Sequence, residues 1–116
     1  MIVDDDAAFA VILQEILEDR GHEVKTAGDG TDGYCNYLLF RPDVVITDIQ
    51  MPRCDGLELM RHIRAHDPRI KAIYMSGDLN RSRSLREEEK RRYQANLLEK
   101  PFSRTELMRM LPQHDF

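Results

Sequence analysis

Short apolar runs alternate with longer stretches of helical period along the whole chain, and this alternation limits the fold more than any other feature. Ile2-Val3 leads into Phe9, Ile12, Leu13, Ile16 and Leu17, an i, i+3, i+4, i+7, i+8 stripe ending at Gly21, with Asp6 placed to cap it. A brief strand is expected over His22–Ala27. After Gly28-Asp29-Gly30, Thr31 is placed to cap a second helix carrying Tyr34, Tyr37, Leu38 and Phe40, which Pro42 stops. Asp43–Thr47 contains Val44-Val45-Ile46, a continuous β-branched run suited to a central strand covered on both faces.

Asp55 with Glu58 three residues on marks the start of a third helix, with Leu57, Met60 and Ile63 as its inner stripe. Ile70–Met75 reads as a fourth strand and Asn96–Glu99 as a short fifth. Between them, Arg81–Arg92 is helical by propensity and almost wholly charged; Glu87–Arg91 and Glu88–Arg92 make i,i+4 pairs that suit a solvated face. Ser103-Arg104-Thr105-Glu106 is a capping box opening a last helix with Leu107, Met110 and Leu111. A strand–helix pair repeated five times with short connections requires parallel strands joined by right-handed crossovers. The expected fold is therefore α/β, a doubly wound five-stranded parallel sheet flanked by five helices.

Composition narrows the setting. The 116 residues suit one domain, and a hydrophobic content of 41% suffices for a core. The formal net charge of −4 gives no global pull toward nucleic acid or an anionic membrane. No apolar run approaches the roughly 20 residues of a membrane span, and Met1-Ile2-Val3-Asp4-Asp5-Asp6 turns acidic instead of forming a signal peptide. Cys35 and Cys54 are too few for a disulfide scaffold and lack metal-ligand spacing, as do His22, His62, His66 and His114. A cytoplasmic domain with neither membrane nor direct nucleic-acid partners is expected.

In an open parallel sheet, ligands bind beyond the carboxyl ends of the strands. The first strand ends in Asp4-Asp5-Asp6, the third runs into Asp48, the fourth ends in Ser76-Gly77 and the fifth in Lys100-Pro101. Carboxylates crowded on one rim cannot all ionise cheaply unless a cation sits among them, and an all-oxygen donor set suits Mg²⁺. Phosphoryl transfer needs mostly positioning and charge neutralisation, and a carboxylate can serve as its nucleophile. Asp48, alone at the end of the central strand, is the candidate nucleophile, with Asp4 and Asp5 paired for the metal. Ser76 is placed to donate to a phosphoryl oxygen and Lys100 to pair with another.

Four pieces together carry a family resemblance over essentially the whole chain. They are Val3-Asp4-Asp5, the block from Asp48 through Gln50, Met51, Pro52, Asp55 and Gly56 to Leu59, then Met75-Ser76-Gly77, and Lys100-Pro101-Phe102. In this combination the sequence resembles the receiver domain of two-component response regulators, a CheY-like, flavodoxin-like fold. The resemblance implies that Asp48 accepts a phosphoryl group from a histidine kinase or histidine phosphotransfer protein. It implies that Mg²⁺ (or Mn²⁺) is bound directly by Asp5, through water by Asp4, and by the Asp48 carboxylate and the Gln50 backbone carbonyl. Ser76 would be the switch hydroxyl, Lys100 the phosphate-pairing lysine, and the Lys100–Pro101 peptide cis. Gln50 and Asp78 would face the attacking water and tune the phosphoryl lifetime.

The switch position three residues before Lys100, commonly aromatic in such domains, is Leu97, which tells against a coupled aromatic swing though not against phosphorylation. The first strand is shorter than the family usually has: either it is short here, or the protein begins upstream of Met1. Output is expected from the face built by the fourth helix, fifth strand and fifth helix, toward a protein target, an effector domain of the same protein, or a second copy in a homodimer. With no effector segment after Phe116, residues 1–116 read as a single receiver, stand-alone or excised from a larger regulator or hybrid kinase.

Such a domain is a signalling phosphoacceptor, not an enzyme, promoting only its own phosphorylation and dephosphorylation. Three other readings fit less well. A Mg²⁺-dependent phosphatase generally needs a second carboxylate where Gln50 stands. A flavin-binding domain would need a hydroxyl- and glycine-rich loop where this chain has three aspartates. A phosphorylation-independent interaction module is favoured mildly by Leu97 and opposed by the intact acidic rim.

Overall fold

The computed structural model describes residues 1–77, 87 and 95–111. Its elements, in chain order, are β1 (Ile2–Val3), α1 (Ala7–Asp19), β2 (Thr26–Ala27), α2 (Gly30–Phe40), β3 (Val44–Asp48), α3 (Gly56–His66), β4 (Lys71–Ser76), β5 (Ala95–Glu99) and α4 (Arg104–Met110). The strands form one sheet in the order β2-β1-β3-β4-β5. Every neighbouring pair is parallel, so the doubly wound α/β architecture is as the alternation requires. The expected charged helix over Arg81–Arg92 lies outside the described residues, apart from Glu87, and α4 is the helix opened by the Ser103 capping box.

Alternate strand residues feed two cores, one on each face of the sheet. Val3, Val45, Ala72 and Tyr74 pack with Tyr37 of α2 and Leu59, Met60 and Ile63 of α3. Ile2, Ile46, Ile73, Met75 and Leu98 pack with Leu13 and Leu17 of α1 and Leu107 of α4. Each valine, leucine, isoleucine or methionine among them contributes on the order of 1.5–3 kcal/mol by leaving water. Because side chains alternate across a strand, a slip of one residue would exchange the two cores, so register is strongly fixed. That register brings the carboxyl ends of β1, β3, β4 and β5 to one edge.

The helix ends follow from local chemistry. Asp6 caps α1 by accepting from the Phe9 N–H, and the helix closes with His22 N–H donating to Leu17 and Gly21 N–H to Glu18, Gly21 standing at φ +88°. Asp55 caps α3 by accepting from the Glu58 N–H. For α2 the cap is Asp29, not Thr31: the Asp29 carboxylate accepts from the Asp32 N–H at 2.8 Å, which places Thr31 inside the first turn.

Three other expectations need correction. The second strand is Thr26–Ala27 instead of His22–Ala27, because a strand extends only as far as its neighbour: Thr26 pairs with Ile2, and no strand residue stands opposite His22–Val24. The inner stripe of α1 is Ala10, Leu13 and Leu17, while Ile12 is 55% exposed. Leu59, adjacent to the expected stripe of α3, is fully buried, and Leu57 only partly.

Candidate functional site

Two acidic residues of the β1 end behave differently. Asp4 is buried, with Oδ1 accepting from the Asp6 N–H at 2.9 Å and Oδ2 accepting from Lys100 Nζ at 2.8 Å. Asp5 is exposed. Asp48 ends β3 on the neighbouring strand, and one oxygen from each of Asp4, Asp5 and Asp48 lies within 4.8 Å of the other two. The backbone under Asp48 is tightly closed: Ile49 N–H donates to Met75 and Gly56 N–H donates to Ile49, returning the β3–α3 loop onto the strand. A Cβ at Gly56 would overlap the Asp48 carbonyl oxygen, so only glycine fits beneath the carboxylate.

Lys100 arrives from the far side of the sheet. Its N–H donates to the Ser76 carbonyl at 2.7 Å, which ties the β5 end to the β4 end, and the Lys100–Pro101 peptide is cis. The ammonium reaches Asp48 Oδ2 at 3.5 Å as well as Asp4. Ser76 is buried at the end of β4, one residue past Met75, which pairs in register with Asp48. Gln50 stands two residues past Asp48, exposed, in the β3–α3 loop.

One lysine faces three carboxylates, and the electrostatics record the imbalance. Asp48 is held above the usual carboxylate range, first by burial and then by the charges of Asp4 and Asp5, with Lys100 pulling the other way. For Lys100, burial works against the charge. The Asp4 hydrogen bond and the charges of Asp48 and Asp4 outweigh it and raise the pKa. A hard divalent cation fits this set: the donors are all oxygen, clustered and short of positive charge. Burial, with the nearby Glu58, Asp55 and Asp29, pushes the Cys54 thiol up.

The structure thus brings Asp4, Asp5, Asp48 and Lys100 together, with Ser76 and Gln50 on the adjoining segments. Asp78 lies outside the described residues. Leu97 pairs in register with Tyr74 and packs on the α2 and α3 side of the sheet. Two features escape a reading of the sequence. Arg64, one of several basic residues in a polar-looking helix, is buried and donates to the Tyr74 hydroxyl at 3.2 Å. Phe9, an ordinary stripe position, lays its ring against Lys100.

A doubly wound parallel sheet carrying a carboxylate cluster and a paired lysine on its carboxyl edge has the charges to hold a cation and an anionic group side by side. The chain matches the family model of the response regulator receiver domain over residues 1–112 and belongs to that family. Nitrogen assimilation regulatory protein NtrX of Azorhizobium caulinodans is 31% identical over 110 residues, which is 93% of this chain and 24% of that protein. Chemotaxis protein CheY4 of Vibrio cholerae superposes with a TM-score of 0.82 at 28% identity, covering 95% of both chains. The receiver domain of a sensor histidine kinase from Pseudomonas aeruginosa superposes with a TM-score of 0.80 at 26% identity, covering 94% of this chain and 89% of that one. Its structure carries a magnesium ion coordinated in the active site cleft. The chain spans 22%, 30% and 24% of the lengths of three curated relatives that it matches. Among the described residues, no helix is long and apolar enough to cross a membrane.

Proposed function

We propose that Asp48 is the phosphoacceptor of this receiver domain, taking the phosphoryl group of a phosphohistidine on a histidine kinase or phosphotransfer protein. The observation that carries this is the placement of the Asp48 carboxylate at the end of the central strand, between the Asp4–Asp5 pair and the Lys100 ammonium. An Asp48 carboxylate oxygen bonds to phosphorus as the nitrogen–phosphorus bond of the donor breaks, and the imidazole leaves. Lys100, already 3.5 Å from Asp48, pairs with a phosphoryl oxygen, and the Ser76 hydroxyl donates to another.

Asp5 would hold Mg²⁺ directly, with the Asp48 carboxylate and the Gln50 backbone carbonyl. Asp4, whose two oxygens already accept from Asp6 and Lys100, would act through water. The ion, for which Mn²⁺ is an acceptable substitute, supplies charge neutralisation for the incoming phosphoryl group. Gln50 and Asp78 are placed along the sequence to tune its lifetime. Phosphorylation would shift a two-state equilibrium at an output face that includes β5 and α4, toward a downstream protein, an effector domain or a second copy.

A phosphorylation-independent interaction role has less support, because the acidic cluster and its lysine are fully assembled. The test is the intact mass after incubation with acetyl phosphate and Mg²⁺. A single added phosphoryl group, absent in Asp48→Asn and in metal-free samples, is expected. Phosphate uptake by Asp48→Asn would overturn the assignment.

A further inference from the structure

The Lys100 ammonium has three N–H donors, and the site accounts for three directions around it. Asp4 Oδ2 lies at 2.8 Å, Asp48 Oδ2 at 3.5 Å, and the Phe9 ring centroid at 4.5 Å. The ring is itself held from two sides. Phe102, two residues past Lys100, meets it edge-on at 5.7 Å and an interplanar angle of 77°. The Phe9 N–H donates to the Asp6 carboxylate, and the Asp6 backbone N–H donates to the Asp4 carboxylate. Asp4, Asp6, Phe9 and Lys100 therefore form one connected unit joining the start of α1 to the end of β5.

We propose that Phe9 is a positioning residue for phosphoryl binding, its ring face holding the Lys100 ammonium at the carboxylate cluster. The inference rests on the reading of Lys100 as the partner of the phosphoryl group and adds what keeps it in place. An aromatic face attracts a cation through its quadrupole but offers no lone pair in competition with an arriving phosphoryl oxygen. The ammonium can shift its hydrogen bonds from carboxylate to phosphoryl while the ring goes on shielding it from water. A leucine at the same place would cover the lysine without attracting its charge.

The experiment measures beryllofluoride affinity in saturating Mg²⁺ for the parent protein and for proteins carrying mono-, di- and trifluorinated phenylalanine at position 9. Fluorine drains the ring face while nearly conserving its shape, so folding and packing are held constant. The dissociation constant is expected to rise stepwise, reaching about two- to fivefold in the trifluorinated protein. Phe9→Leu should show at least that loss, and Phe9→Tyr should match the parent. Equal affinity across the fluorinated series in a protein that binds beryllofluoride would overturn the role of Phe9 and leave the phosphoacceptor reading standing. A parent that does not bind, or an Asp48→Asn variant that binds as well as the parent, would overturn that reading and the role of Phe9 with it.

Discussion

Lys100 donates a 2.8 Å hydrogen bond to Asp4 across 96 positions of sequence. The Asp4 side chain is fully buried, whereas that of Lys100 keeps 24% of its surface exposed. The bond therefore joins a buried carboxylate to the one cation near it among the described residues.

Removing Lys100 should cost stability as well as function. Breaking a fully buried pair from one side costs about 3–5 kcal/mol; with Lys100 partly solvated, Lys100→Ala should cost about 1–3 kcal/mol. Adding Asp4→Asn should restore part of that loss by neutralising the stranded carboxylate. Urea denaturation of the four proteins of this cycle measures it, and a neutral Lys100→Ala variant would mean that the pair contributes nothing to the fold.

Asp48 should act in the opposite sense. Its folded pKa is raised, first by burial, so the folded state holds its proton more tightly than the unfolded chain does. The stability cost of ionising it is absent below the unfolded carboxylate pKa and complete above the folded one. Asp48→Asn should accordingly be more stable than the parent at pH 7, by about 0.5–2 kcal/mol. The advantage should vanish as pH falls below the ordinary aspartate value of about 3.9. Paired denaturation curves across that range decide it, since only the difference between the two proteins reports on Asp48.

The parts of this molecule legible in the sequence are those set by short-range rules. Val44-Val45-Ile46 could be read as a central strand because it is apolar on both faces, and β3 is flanked by β1 and β4. Asp4, Asp5, Asp48 and Lys100 could be grouped because parallel topology sends every strand end to one edge. What could not be read depends on partners distant in the chain. The length of β2 is set by β1, a property of the neighbour instead of Val24 or Thr26. Burial of Arg64 depends on a hydroxyl supplied by Tyr74. The Phe9–Lys100 contact depends on how α1 leaves the acidic turn, and nothing in the stripe separates a phenylalanine over a cation from one in a core.

Gly56 gives a geometric prediction. Any side chain there meets the backbone carbonyl of Asp48 at the end of β3, and the Thr47 hydroxyl beside it, so the strand end or the helix start must move. Gly56→Ala should destabilise by about 1–3 kcal/mol and weaken beryllofluoride binding together, because the displaced segment carries Asp48. Gly28→Ala is the control: a Cβ there meets nothing within 4 Å, and its stability should stay within about 0.5 kcal/mol of the parent. Retention of full stability and affinity by Gly56→Ala would show that the close approach to Asp48 is relieved at no cost.

Mg²⁺ should stabilise the fold through the same three carboxylates. A ligand bound only by the native state adds RT ln(1 + [L]/Kd), about 2.7 kcal/mol at a hundredfold excess over Kd. Thermal denaturation should therefore shift upward with Mg²⁺ and not with Na⁺ at matched ionic strength. Asp5 is exposed and its charge opposes ionisation of Asp48, so Asp5→Asn should leave the metal-free protein as stable as the parent or slightly more so. The same substitution should abolish most of the Mg²⁺ shift, because it removes the carboxylate best placed to reach the ion directly. Lowering the pH should erode the shift in the parent as Asp48 takes up its proton, earlier than for an ordinary carboxylate. A full Mg²⁺ shift in Asp5→Asn would place the metal away from the Asp4–Asp5–Asp48 cluster, and the charge balance argued for the phosphoryl site would have to be rebuilt on Lys100 alone.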